Sequence, residues 1–162
     1  MSIGLRPHHF LCLQGYKGYN YNQTQKTSWD RISTYLQNNP DTDIVILSGK
    51  DDLCQKCPND GSKSAICKDD NVNKLDEKVK NLIGIETGKT YKYKDILNKL
   101  KTTITEDIHK NLCQTCAWWQ KGLCKDTFKE NKQTEREPFL SMTTRERKDI
   151  NLSGIKYIPK AA

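Results

Sequence analysis

Two cysteine sets, Cys54-x2-Cys57-x9-Cys67 and Cys113-x2-Cys116-x7-Cys124, constrain this chain more than any other feature of its sequence. A tight turn between the cysteines of a C-x2-C pair points both sulfurs at one metal. In each set a third cysteine returns after a loop, as a chain does when it encloses an ion or a cluster. The competing reading is a group of buried structural cysteines, which are common in cores. Cys54, Cys57 and Cys67 stand among Asp51, Asp52, Gln55, Lys56, Asn59, Asp60 and Lys63, which is no core environment, so metal ligation is the expectation.

Composition supports a chain that needs such a staple. With 162 residues, one domain is expected, and at 35% hydrophobic and 29% charged its core is thin. The opening MSIGLRPHHFLCLQG lacks an apolar run long enough for a signal peptide, and no later stretch approaches a membrane span, so a cytoplasmic protein without membrane association is expected. In a reducing compartment clustered cysteines read as ligands or catalytic thiols, and seven of them would leave one over in a pure disulfide framework. The net charge of +7 suggests an acidic partner. However, the basic residues are dispersed and thiolate ligands would offset part of the excess, so nucleic-acid binding is disfavoured.

The periodicities predict an α-rich α+β domain with few strands over residues 1–125. Residues 2–13 predict a short strand or turn leading into a helix, and QGYKGYNYNQTQ, with Tyr16, Tyr19 and Tyr21, a loop. From Thr27, the residues Trp29, Ile32 and Leu36 recur at helical spacing, with Ser28 as N-cap and Asn39-Pro40 as stop. DIVILSG, 43–49, predicts a buried strand. Val72, Leu75, Val79, Leu82 and Ile83 predict a helix ending at Gly84, and TGKTYKY a hinge. Ile96, Leu97, Leu100 and Ile104 mark a further helix. Ile108 and Leu112 mark a short one, capped by Thr103 or Thr105, that runs into Cys113. Residues 126–162, charged in KENKQTERE and TTRERKD, predict an extended C-terminal arm.

Six cysteines do not divide into fours, whereas a structural zinc ion or an iron–sulfur cluster takes four ligands, or three thiolates plus another group. Three solutions are open: one site using both C-x2-C pairs, one mixing the sets, or two sites completed by Cys12 and a histidine. RPHHFLC places His8 and His9 near Cys12, and Arg6 beside two titratable rings suits an anion or polar-substrate pocket. Arg6, His8, His9, Asp51 and Asp52 are thus candidate substrate or proton-handling groups. His109 reads as a surface residue.

RPHHFLC, GYKGYNYN, SGKDDLCQKCP and CQTCAWWQKGLC together resemble the domain of unknown function 1284, a family of small bacterial and archaeal proteins, over residues 3–125. The resemblance falls on Arg6, Pro7, His8, His9, Cys12, Asp51, Asp52, Cys54, Cys57, Pro58, Cys113, Cys116, Trp118, Gly122 and Cys124. It implies iron–sulfur binding and no assigned reaction. The resulting expectation is an iron–sulfur protein with a 4Fe–4S cluster, in a redox role with a partner protein or as a cluster-stabilised domain. The first ligand set is Cys54, Cys57, Cys113 and Cys116, followed by Cys67 and Cys124, then Cys12, with Trp118 and Trp119 shielding the sulfurs. The alternatives are an enzyme with an open iron, doing sulfur transfer or Lewis-acid chemistry, and a zinc-stabilised binding module.

Overall fold

A computed structural model describes residues 2–16, 18, 23–54, 70–125 and 127–128. Cys57, Cys67 and the arm expected beyond residue 128 therefore lie outside the described residues. The elements run β1 (Ser2–Leu5), α1 (His9–Gly15), α2 (Gln23–Asn38), β2 (Asp43–Ile46), a 3-10 turn (Asp52–Cys54), α3 (Asp70–Ile83), β3 (Thr90–Lys92), α4 (Tyr93–Thr103), α5 (Glu106–Cys113) and α6 (Ala117–Gln120). This is an α-rich α+β arrangement. Among the described residues no helix is long and apolar enough to cross a membrane.

β2 is the centre of a three-stranded sheet, parallel to β1 on one side and antiparallel to β3 on the other. Register sets Ile3 beside Ile44 beside Tyr91, and Leu5 beside Ile46. Ile3, Leu5, Ile44 and Ile46 are all buried, and cross-strand apolar neighbours of this kind stabilise a sheet pairwise. Trp29, Ile32 and Leu36 of α2, Val79 and Ile83 of α3, and Ile96 and Leu100 of α4 join them in one core. The core continues past Lys125 to the fully buried Phe128.

Three details depart from the periodicities. α2 begins at Gln23, ahead of the apolar period that starts near Thr27, so Ser28 lies inside the helix and caps nothing. TGKTYKY is no hinge: it supplies β3 and the first residue of α4. At three residues, with only Tyr91 partly buried and Lys92 ion-paired to Asp43 at 2.7 Å, this edge strand is too short and polar to show a period of two. Thr105 rather than Thr103 caps α5, its hydroxyl accepting from the Ile108 N–H at 3.2 Å.

The N-terminal segment is held by carboxylates. Gly4 N–H donates to Asp52 Oδ2 and Arg6 N–H to Asp51 Oδ2, each at 2.8 Å. β1 is an edge strand, and alternate residues present their N–H groups outward, so the Asp51-Asp52 pair satisfies donors that would otherwise be buried unpaired. The Arg6 side chain is fully buried. Its Nε and Nη2 reach Asp76 Oδ2 of α3 at 2.8 and 2.6 Å, and Asp76 Oδ1 accepts from His8 N–H at 2.9 Å. Burial alone would raise the Asp76 carboxyl, but the bonds from His8 and Arg6 outweigh it and hold the group at about 2.

Asp76→Ala strands the Arg6 guanidinium in the core and is expected to cost about 3–5 kcal/mol in urea denaturation. A cost under about 1 kcal/mol would contradict this role. Because the carboxyl is depressed from its ordinary 3.8, its contribution is present above that pH and is lost as pH falls through about 2. The variant should therefore show a shallower acid limb.

Candidate metal centre

Asp51 organises the first of two donor groups. Its Oδ2 accepts from the His9 ring Nδ1 at 2.6 Å as well as from Arg6 N–H, and its Oδ1 accepts from Leu53 N–H at 3.0 Å and from the Cys54 thiol at 3.3 Å. Ligand atoms of His9, Asp51 and Cys54 lie within 4.8 Å of one another, which makes them a group able to hold a metal ion. Burial would raise the Asp51 carboxyl, but His9 and the hydrogen bonds it accepts hold it below its ordinary range. An ionised carboxylate only accepts, so Nδ1 of His9 carries the ring proton. Burial and the neighbouring Asp51 push the Cys54 thiol well up, partly countered by the charge of Arg6, so without a metal the sulfur stays protonated.

His8 is the companion ring, 4.5 Å from His9 between centroids. Its Nδ1 donates to Asp76 Oδ1 at 2.7 Å. Burial, with His9 nearby, lowers it from 6.5 to about 4, so it is neutral at physiological pH. Arg6 Nη1 is buried and has no hydrogen-bond partner. Its charge is felt at both His8 and Cys54.

The second donor group is a nest of thiols. Cys12 on α1 lies near enough to Cys113 at the end of α5, to Cys116 in the following turn and to the returning Cys124 for each to act on it electrostatically. Burial pushes the Cys12 thiol far up, and the proximity of Cys113, Cys116 and Cys124, in that order, pushes it further. The Cys113 thiol is pushed up to about 12 by burial and then by Cys124 and Cys116. Cys113 and Cys124 are buried in the core, with Cys12 and Cys116 packed against it.

Local sequence accounts for this convergence. Cys116 N–H donates to Cys113 O at 2.9 Å, closing the C-x2-C turn. Leu123 N–H donates to Trp118 O at 3.0 Å, and Gly122, at φ 76°, takes the left-handed conformation that turns the chain back to Cys124. Gly15, one turn beyond Cys12 on α1, lies against Cys124: a Cβ there would collide with the Cys124 Cβ and stand 2.7 Å from Thr127 Oγ1. Tyr16, Trp29 and Trp118 form an aromatic wall beside this region, with Trp29 and Trp118 centroids 5.0 Å apart and Trp29 also edge-on to His9.

The structure thus gathers Arg6, His8, His9, Asp51 and Cys54 at one place and Cys12, Cys113, Cys116 and Cys124 at another. Asp51 stands close enough to be felt at Cys12. Asp52 is buried on Gly4 N–H and serves the edge strand. Cys57 and Cys67 fall outside the described residues. His109 is no surface residue: it is buried with 1% exposure, edge-on to Trp119 and Phe128, because residues after Lys125 cover it. Sequence reasoning missed Asp76. Its signal was an acid in phase with the apolar stripe of α3, at helical spacing from Val79 and Ile83.

A family model described as "Protein of unknown function (DUF1284)" matches residues 18–122, starting after RPHHFLC and stopping short of Cys124. No curated protein and no solved structure matches.

The contact of Gly15 with Cys124 gives a direct check on the nest. Gly15→Ala is expected to destabilise the protein by about 1–3 kcal/mol in urea denaturation, as overpacking at a tight helix contact does. An unchanged or increased stability would mean that α1 does not approach Cys124 this closely.

Proposed function

We propose, on the premise that the chain belongs to the DUF1284 family of proteins of unknown function, that it is an iron–sulfur protein whose 4Fe–4S cluster is held by Cys12, Cys113, Cys116 and Cys124. What supports this reading is that four thiols, drawn from both ends of the domain, pack in or against one core, with Cys113, Cys116 and Cys124 each acting on Cys12 electrostatically. Four cysteine thiolates are the usual ligand set of a cubane cluster. The donor atoms that close to within 4.8 Å are those of His9, Asp51 and Cys54, not those of the nest. No three of these thiols close that far, as a single zinc ion with sulfurs about 3.8 Å apart would require.

The first ligand set expected from the sequence paired Cys54 and Cys57 with Cys113 and Cys116. Cys54 has Asp51 and His9 as neighbours and Cys57 lies outside the described residues, so in this reading Cys12 and Cys124 complete the set. A bound cluster takes the four cysteines as thiolates, and its binding energy then adds to folding energy. When bound, a 4Fe–4S cluster supplies one-electron redox capacity. The protein's part is to hold it, to exclude water with the wall of Tyr16, Trp29 and Trp118, and to exchange electrons with a redox partner protein.

Iron and acid-labile sulfide on anaerobically purified protein, with a visible spectrum, test this reading. About four irons and four sulfides per chain and a brown colour are expected. Cys12→Ser and Cys113→Ser should each lose most of both, whereas Cys54→Ser keeps them. Zinc without sulfide, or full iron retention in Cys12→Ser, would overturn it.

A further inference from the structure

We propose that His9, Asp51 and Cys54 bind a single borderline divalent ion, zinc(II) in the first instance, as its three protein ligands among the described residues, in a site separate from the cysteine nest. The three donor atoms already lie within 4.8 Å of one another. Zinc holds its ligands at about 2.0–2.3 Å, so two donors of a tetrahedral ion stand about 3.3–3.8 Å apart, and the widest pair here, at no more than 4.8 Å, draws in by about 1 Å at most. One imidazole nitrogen, one sulfur and one carboxylate oxygen form a mixed set. It suits zinc better than calcium or magnesium, which take oxygens, or copper(I), which takes soft sulfur.

The electrostatics favour a divalent charge. Asp51 as carboxylate and Cys54 as thiolate carry two negative charges, which one such ion neutralises. Arg6 does not balance them, because its guanidinium is paired with Asp76. In the metal-free protein two protons bridge these atoms, one between His9 Nδ1 and Asp51 Oδ2 and one between Cys54 Sγ and Asp51 Oδ1. The ion takes one nitrogen of His9, one carboxylate oxygen of Asp51 and the Cys54 sulfur in their place. The thiol proton leaves to solvent, and the His9 ring proton moves to the nitrogen facing away from Asp51.

The centre of the site is preorganised. Asp51 is fixed by the Arg6 and Leu53 N–H groups, and Cys54 N–H donates to Asp51 O at 3.0 Å, so the turn that carries two of the ligands does not have to form on binding. His9 is steered by its edge contact with Trp29. This inference does not depend on the cluster assigned to the nest.

Cobalt(II), a coloured stand-in for zinc, tests it on the full-length protein purified anaerobically and dialysed against chelator. The parent is expected to take up one equivalent with thiolate-to-cobalt absorption in the near ultraviolet and intense visible bands of four-coordinate cobalt, both removed by added zinc. His9→Gln, which keeps an amide donor for Asp51, and Cys54→Ser should each weaken that equivalent at least about tenfold. Circular dichroism and the iron and sulfide content should stay at the parent level. A parent that takes up no such equivalent, or variants that bind it as the parent does, would overturn the site. Loss of the equivalent in both variants of a chain that contains no sulfide would uphold this site while removing the cluster reading.

Discussion

Arg6 brings a full positive charge into the core with no exposure to water, and the arrangement of the N-terminal half follows from how that charge is met. Asp76 on α3 answers the guanidinium, while Asp51 and Asp52 answer the backbone N–H groups of Arg6 and Gly4. A buried guanidinium without its counter-charge costs a large part of the few kcal/mol by which a domain of this size is stable. β1, the turn after β2 and α3 must therefore come together for the core to close. Once they do, His8 and His9 are set at the start of α1 and Cys54 at the end of the turn, all within reach of the same carboxylates.

α1 is then the hinge between the two donor groups. His9, Cys12 and Gly15 follow one another at three-residue steps, so the helix presents a row that begins at Asp51 and ends against Cys124. One short helix gives a ligand candidate to each site, and the Asp51 charge is felt as far as Cys12. Occupancy at one site changes the charge that the other must tolerate. The +7 of the bare sequence counts every thiol as neutral and no bound ion, so it is a poor guide to partners.

Much of this was legible in the sequence, for reasons that particular residues make plain. DIVI reads as a strand because β2 is the central strand, its residues partly or fully buried, and α3 reads as a helix because Leu75, Val79 and Ile83 keep its period. The C-x2-C spacing raised the expectation of metal ligands. Which cysteines come near one another was not legible, because Cys12 and Cys113, which interact electrostatically, are far apart in the chain, and spacing carries no information about it. Asp76 was hidden by its own chemistry: an acid on a helix is normally solvated, and only the buried Arg6 turns it inward. His109 was misread because what covers it, Trp119 and Phe128, belongs to the end of the domain, where the periodicity had already faded.

Native mass spectrometry of the anaerobically purified chain, metallated as isolated, would test the two-site account most directly, since a single spectrum reads both occupancies. The account predicts a principal species with the mass of the chain, one four-iron four-sulfide core and one divalent ion. A principal species carrying only single metal ions, with no sulfide mass at all, would contradict it.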